Sequence, residues 1–144
     1  MLKKSFRVFA FVLLFAIVLS AAPFAAPAWA RNSDYIDSYC AYMYSPSSGK
    51  AQVWFELKAN TTSDKVGALT IFLQVSDDAE NWTNVKTFRH ADYPNMMESN
   101  TICTVTHVDA NVESGHYYRG CLTLYVEKDG GSDSRFYVTD AYWI

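Results

Sequence analysis

Residues 50–60, KAQVWFELKAN, alternate between apolar and mostly polar side chains from one position to the next. Val53, Phe55 and Leu57 fall on one side of this alternation, and Trp54 falls on the other. Successive side chains of a β-strand point to opposite faces, whereas a helix repeats every 3.6 residues. The stretch therefore predicts a β-strand with one buried face, and it excludes an amphipathic helix at this position.

The same period of two recurs along the chain, and no stretch has the i, i+3, i+4, i+7 spacing of a helix. In residues 134–143 the alternation sets Phe136 and Val138 against Arg135 and Tyr137. Further strand-like stretches are residues 34–44, 68–76, 81–90, 100–108 and 117–128. Segments rich in Gly, Pro, Asn, Asp and Ser, which favour turns, separate them, and one of these predicted turns is TTSDKVG at residues 61–67. We predict an all-β fold, a single immunoglobulin- or fibronectin-III-like β-sandwich of about seven strands.

The first thirty residues have the three regions of a secretory signal peptide. A basic start precedes an apolar run, and small residues flank Trp29 at the end of the stretch. The apolar run of about 15 residues is shorter than the roughly 20 that a transmembrane helix requires. We therefore predict a signal peptide in residues 1–30, cleavage after Ala30 and an extracellular β-sandwich domain in residues 31–144. The mature form should contain no membrane span.

The mature chain is acidic. Three of the twelve basic residues lie in the signal peptide, so nine remain against fifteen acidic residues, a net charge of −6. Nucleic acids and anionic membranes attract a basic face, so neither is an expected partner. The charges are scattered, as on an ordinary solvated surface. We expect the partner to be an extracellular protein or a glycan.

Three cysteines belong to the mature chain, where export permits disulfide formation. Cys103 and Cys121 flank the turn DANVESG almost symmetrically, so a hairpin centred near Val112 would place them opposite each other. The alternatives are a bridge from Cys40 to one of the other two, or no bridge. We predict the Cys103–Cys121 disulfide and a free thiol at Cys40, which makes the protein either a monomer or a Cys40-linked dimer.

No motif indicates catalysis or metal binding. A zinc site requires a tight Cys-x₂₋₄-Cys spacing, and this is absent from the set Cys103, His107, His116 and Cys121. The turns SDDAEN and KDGGSD lack the full ligand spacing of a calcium loop. No local signature supports a Cys–His pair, and no G-x-S-x-G elbow is present. We therefore predict no catalytic, cofactor-binding or metal site, and no enzymatic activity.

Aromatic residues are abundant, with ten tyrosines and three tryptophans in the mature chain. Trp54 lies on the polar side of its strand, and Trp143 is penultimate. Tyr42 and Tyr44 share one face of the first strand. Exposed aromatic rows suit sugar rings or partner proteins, so these four are the candidate ligand-facing residues. Rings that cover the edges or ends of a sandwich would give the same pattern, and this alternative stays open.

Six segments within residues 34–139 form a further pattern: DYIDSY, KVGALTIFLQ, NWTNVKTF, NMMESNT, GHYYRG and GGSDSR. The most specific are the W-x-x-V-K-T strand and the G-S-D-S-R turn. In these segments the chain resembles a group of small uncharacterised secreted proteins from Gram-positive bacteria. The resemblance implies a signal peptide followed by an immunoglobulin-like β-sandwich, and it implies no activity, ligand or catalytic residue. The three cysteines fall outside the pattern.

Tyr118 follows Gly115 at the place where sandwich folds often anchor a corner tyrosine, so we expect its hydroxyl to bond to nearby backbone. Taken together, these patterns predict a secreted, non-enzymatic binding or structural module. The alternatives are a small exported toxin or bacteriocin-like effector that acts on other cells, and a secreted hydrolase.

Overall fold

Residues 33–144 are the part of the chain that the computed structural model describes. The predicted signal peptide, residues 1–30, lies outside the described residues. The elements in chain order are β1 (Ile36–Tyr44), β2 (Lys50–Ser76), β3 (Thr83–Arg89), a 3-10 turn (Pro94–Met96), β4 (Met97–Asn111), β5 (Tyr117–Lys128), β6 (Gly131–Val138) and β7 (Tyr142–Trp143). The predicted all-β class is confirmed. Among these residues, no helix is long and apolar enough to cross a membrane.

All seven strands belong to one antiparallel sheet built on β2, which is 27 residues long. One edge of β2 pairs with β1 and then with β5, and the other edge pairs with β4 and then with β3. We call residues 50–60 of β2 the first segment and residues 63–76 the second segment. The register between β2 and β4 shifts between Lys58 and Ser63, where the two segments join.

Inner-facing side chains of both segments and of β5 form the core. A Cβ atom on Gly120 of β5 would lie only 2.6 Å from Cγ1 of Val53, so β5 packs closely against the first segment. The sheet is therefore curled around its own core. The inner residues with at most 1 % exposure include Val53, Phe55, Leu57, Ile71, Leu73, Leu122, Leu124 and Val126. Burial of each such side chain contributes about 1.5–3 kcal/mol to folding. Because every strand lies in this single sheet, the predicted sandwich of two sheets with immunoglobulin-like topology is not confirmed.

The prediction of a turn at TTSDKVG, residues 61–67, is wrong, because this stretch lies inside β2. Pairing on both sides holds the backbone extended. Lys65 lies opposite Ser99 of β4 on one side and opposite Glu127 of β5 on the other. These strands accept and donate the backbone hydrogen bonds that a turn would leave to water. Long-range pairing therefore overrides the local preference of the sequence.

The faces of β6 follow its partner strand. Phe136 and Val138 are 65 % and 38 % exposed, whereas Tyr137 packs against the core. Tyr137 lies opposite Leu122 of β5, which is fully buried. Because opposed residues of an antiparallel pair share a face, the register with β5 turns Tyr137 inward and its two apolar neighbours outward.

The outer edge of β4 is covered by side chains rather than by a strand, since β2 is the strand with which β4 pairs in the described chain. The carbonyl oxygen of His107 accepts a hydrogen bond from Nδ2 of Asn95 at 3.0 Å. The carbonyl oxygen of Asp109 accepts one from Nζ of Lys86 at 3.3 Å. These two carbonyl groups therefore point away from β2.

Candidate functional site

The outer face of β1, β4 and the first segment carries a regular grid of side chains, which we call the ladder face. Its central row consists of Tyr42, Trp54 and His107, one from each strand. The next row along the strands consists of Tyr44, Gln52 and Asp109. The row on the opposite side consists of Cys40, Glu56 and Val105. The sheet thus brings three ring-bearing residues from distant parts of the sequence into one line.

The rings of the central row are stacked with unequal spacing. The Tyr42 and Trp54 ring centroids are 6.3 Å apart with an interplanar angle of 3°. The Trp54 and His107 centroids are 4.2 Å apart with an angle of 23°. Because the His107 carbonyl group points away from β2, Trp54 and His107 form a non-hydrogen-bonded pair, in which the Cα atoms lie about 1 Å closer than in a hydrogen-bonded pair. The backbone pattern therefore accounts for the tighter stack on this side.

A chain of two side-chain hydrogen bonds and one ion-pair contact fixes the orientation of two of these rings. Nε1 of Trp54 donates to Oε1 of Gln52 at 2.9 Å. Nε2 of Gln52 in turn donates to Oδ1 of Asp109 at 2.7 Å. The other carboxylate oxygen of Asp109 lies 3.4 Å from Nε2 of His107. Because Nε1 of Trp54 and Nε2 of His107 each have a partner on the neighbouring row, these two rings are held in place before any ligand arrives.

Much of the ladder face is open to solvent. Tyr42 and Tyr44 are 53 % and 46 % exposed, and Val105 is 63 % exposed. Trp54 and His107 are half-buried, while Glu56 and Asp109 are exposed. The surface therefore offers aromatic rings next to carboxylate and amide groups, a combination that binds molecules with both C–H surfaces and hydroxyl groups.

Three of the four predicted aromatics lie on this face, and the fourth does not. Trp143 belongs to β7 and contacts Tyr117 of β5, with ring centroids 4.7 Å apart in an edge-on arrangement. Sequence reasoning missed His107 as part of the site. His107 joins the site because it lies opposite Trp54, and this could be predicted only if the register between β2 and β4 were known.

The three cysteines are free thiols in the structure. The hairpin on which the predicted Cys103–Cys121 bridge rests does not form, because β4 and β5 pair with opposite edges of β2. Cys103 lies opposite Lys58 in the first segment, and Cys121 lies opposite Phe72 in the second segment. Burial raises the pKa of both thiols, which keeps them protonated and weakly nucleophilic. Cys40 is exposed on β1, where the Cys40-linked dimer stays a prediction.

Tyr118 forms the backbone contact that its position after Gly115 predicts. Its hydroxyl donates to the carbonyl oxygen of Glu113 at 2.8 Å, and its ring is 3 % exposed. Burial raises the pKa of Tyr118, so the hydroxyl stays protonated as a donor. This bond holds the connection between β4 and β5 against the end of the core.

Residues 33–144 contain no group of three His, Cys, Asp or Glu side chains arranged to hold a metal ion. The two histidines of the set that was considered for zinc have different contacts. His107 stacks on Trp54, whereas Nδ1 of His116 lies 2.5 Å from Oδ1 of Asp77.

No protein-family model matches the chain, and no curated protein matches it. A crystal structure of a protein from Archaeoglobus fulgidus is similar at 6 % sequence identity with a TM-score of 0.34, over 76 % of this chain and 97 % of the other. A similarity of this size supports no conclusion about fold or function.

Proposed function

We propose that the protein is a secreted, non-enzymatic binding module that recognises a glycan through the ladder face. The observation that carries the proposal is the stack of Tyr42, Trp54 and His107 on an exposed sheet surface, in which Trp54 is hydrogen-bonded to Gln52 and His107 lies beside the carboxylate of Asp109. The signal-peptide pattern and the resemblance to secreted Gram-positive proteins support the extracellular location. An immunoglobulin-like classification of the domain belongs to the same proposal.

A glycan fits this face better than a protein partner does. Protein interfaces concentrate apolar anchors in a desolvated centre from which charged residues are depleted. Here the two rows that flank Trp54 carry the carboxylates of Glu56 and Asp109. Sugars carry C–H surfaces that pack on rings and hydroxyl groups that bond to carboxylates and amides. The pre-fixed rings lower the entropy that a flexible ligand must overcome on binding.

The test is an array of oligosaccharides from extracellular polysaccharides, probed with the mature protein and with Trp54→Ala. We expect the wild type to retain at least one glycan and Trp54→Ala to bind it at least about tenfold more weakly, as for a central aromatic anchor. Tyr42→Phe keeps the ring and should bind like the wild type, whereas Tyr42→Ala should not.

Trp143→Ala is the matched control, because it removes an exposed tryptophan outside the ladder face. Equal losses in Trp54→Ala and Trp143→Ala would contradict the assignment of the site. If no glycan is retained and the pure protein inhibits neighbouring strains, the effector function replaces this proposal. Mass spectrometry of the protein from the culture medium tests secretion, and an intact N-terminus at Met1 would contradict cleavage after Ala30.

A further inference from the structure

A cleft of about 540 Å³ opens at one end of the curled sheet, away from the ladder rings. One wall is the start of β3 and the turn before it, and the other is the end of β4 and the connection to β5. The end of the second segment closes the cleft from below. Its volume is in the range of small-molecule sites, and the mouth of a curled or barrel-like sheet is a common place for one.

The floor of the cleft is apolar. Leu73 and Ala110 belong to the buried core, and Val75 and Val112 are partly buried against it. The ring of Tyr118 lies beside them, with its hydroxyl already used by Glu113. A ligand that enters here therefore gains free energy by covering apolar surface, which favours a ligand with a ring or a short hydrocarbon chain.

The Asp77–His116 pair determines which hydrogen-bonding group one side of the rim presents to a ligand. A carboxylate can only accept, so Nδ1 of His116 carries the hydrogen that is donated to Oδ1 of Asp77. In the neutral imidazole this leaves Nε2 as an acceptor. Within the described residues no partner binds Nε2, so this acceptor is available to a ligand.

The remaining charged groups of the rim differ in whether they are already engaged. Nζ of Lys86 donates to the carbonyl oxygen of Asp109 and lies 4.7 Å above the Phe88 ring. The exposed carboxylate of Glu113, by contrast, has no hydrogen bond or ion pair in residues 33–144. Two charged or accepting groups of the rim are therefore without a partner in the described part of the chain, Nε2 of His116 and the carboxylate of Glu113. The ammonium group of Lys86 is already engaged.

We propose that this cleft is a second binding site, separate from the ladder face, for a small amphiphilic amine. The apolar part of the ligand packs on Val75, Val112 and Tyr118. Its ammonium group donates to the carboxylate of Glu113 and to Nε2 of His116. The amine matches the open rim because its ammonium group supplies a positive charge and donors to the two acceptors that have no partner within residues 33–144.

The experiment compares three probes of similar size: 2-phenylethylamine, 2-phenylethanol and 3-phenylpropanoate. Each is titrated into the ¹⁵N-labelled mature protein, and amide shifts of Val75, Val112 and Tyr118 report binding in the cleft. We expect the amine to bind about fivefold more tightly than the alcohol, the size of one solvent-accessible ion pair, and the carboxylate to bind most weakly. In Glu113→Gln the amine should fall to the affinity of the alcohol, while the alcohol is unaffected.

Glu98→Gln is the matched control, since it removes an exposed carboxylate on β4 outside the cleft. Asp77→Asn adds a second readout, because an amide no longer fixes the proton on Nδ1 of His116, and the amine should again bind more weakly. Preference for 3-phenylpropanoate would overturn the proposal, as would shifts absent from the three cleft residues. An amine affinity unchanged by Glu113→Gln would overturn it as well. None of these outcomes depends on glycan binding at the ladder face.

Discussion

Both segments of β2 contribute buried side chains to the core, but they differ on their outer faces. In the first segment the outward Trp54 leaves a line of rings open to solvent. In the second segment the outward Gln74 is enclosed by its neighbours. Its Oε1 accepts from Nε of Arg119 at 2.8 Å, and its Nε2 donates to Asn84 at 2.8 Å. The guanidinium of Arg119 also stacks on the Trp82 ring at 4.2 Å.

The difference shows which part of a sheet is dictated by folding and which is free to vary. Inner faces must be apolar in both segments because burial provides the free energy of folding. Outer faces only need to satisfy their polar groups. The second segment engages both amide atoms of Gln74 within the molecule, whereas the face of the first segment leaves aromatic rings and carboxylates exposed to solvent.

One of the two largest expected effects concerns Gly67, near the start of the second segment. A Cβ atom there would overlap the carbonyl oxygen of Met96 and lie 2.7 Å from Cα of Met97. Because these contacts are backbone atoms, they cannot move aside without shifting β4. We expect Gly67→Ala to lower the free energy of unfolding by at least about 3 kcal/mol in a urea titration.

Gly130→Ala is the control for this prediction, since Gly130 has a φ of +79° and nothing within 4 Å of its added Cβ. It should cost only about 1 kcal/mol, from backbone strain alone. Comparable losses in the two variants would mean that the close approach of β4 does not constrain which side chains fit at position 67.

The next effect contrasts two adjacent residues of the first segment. Phe55 is 1 % exposed, so Phe55→Ala should cost about 3–5 kcal/mol of unfolding free energy. Trp54 is half-buried on the ladder face, and Trp54→Ala should cost about 1 kcal/mol for the lost stack and hydrogen bond. Thermal unfolding of both variants measures the ratio. A larger loss for Trp54→Ala would mean that the ladder serves stability rather than binding.

The sequence predicted the inner faces well because burial imposes a local period of two. Val53, Phe55 and Leu57 are buried together, as the alternation predicts. These positions need no knowledge of the neighbouring strand.

The features that depend on pairing between distant strands could not be predicted from the sequence. The continuous path of β2 through residues 61–67 and the inward Tyr137 both follow from register with β5 or β4. The ladder was half predicted: Tyr42 and Trp54 were candidates, but His107 joins them only through its register with β2. The sequence of a single chain does not indicate which strands will pair with each other.

A smaller effect on stability tests the hydrogen bond between Tyr118 and Glu113 at the connection between β4 and β5. Tyr118→Phe removes the hydroxyl that donates to the Glu113 carbonyl and keeps the buried ring. We expect a loss of about 1 kcal/mol in unfolding free energy. Tyr142→Phe is the control, since its 39 % exposed side chain makes no hydrogen bond through its hydroxyl within the described residues. An unchanged stability in Tyr118→Phe would show that the connection between β4 and β5 is held by packing alone.

The smallest effect concerns acid stability of the turn after the second segment. Backbone N–H groups of Asn81 and Glu80, with the side chains of Asn81 and Ser76, hold the pKa of Asp78 well below its ordinary 3.8. A depressed folded pKa contributes stability that is complete above the ordinary value and is lost as pH falls below it. Asp78→Ala should therefore destabilise the protein slightly at pH 7 and flatten the fall in melting temperature below about pH 4. Glu80→Ala, in the same turn, should keep the wild-type acid profile; a steep fall in Asp78→Ala would contradict the assignment.

The covered edge of β4 has a consequence for behaviour at high concentration. An open strand edge is a template onto which another chain can add by backbone pairing, the first step of sheet-type aggregation. The carbonyl groups of His107 and Asp109 are already occupied by Asn95 and Lys86, and the lysine places a charge at the edge. Two carbonyl groups at the edge beside the aromatic row are thus unavailable to an added strand.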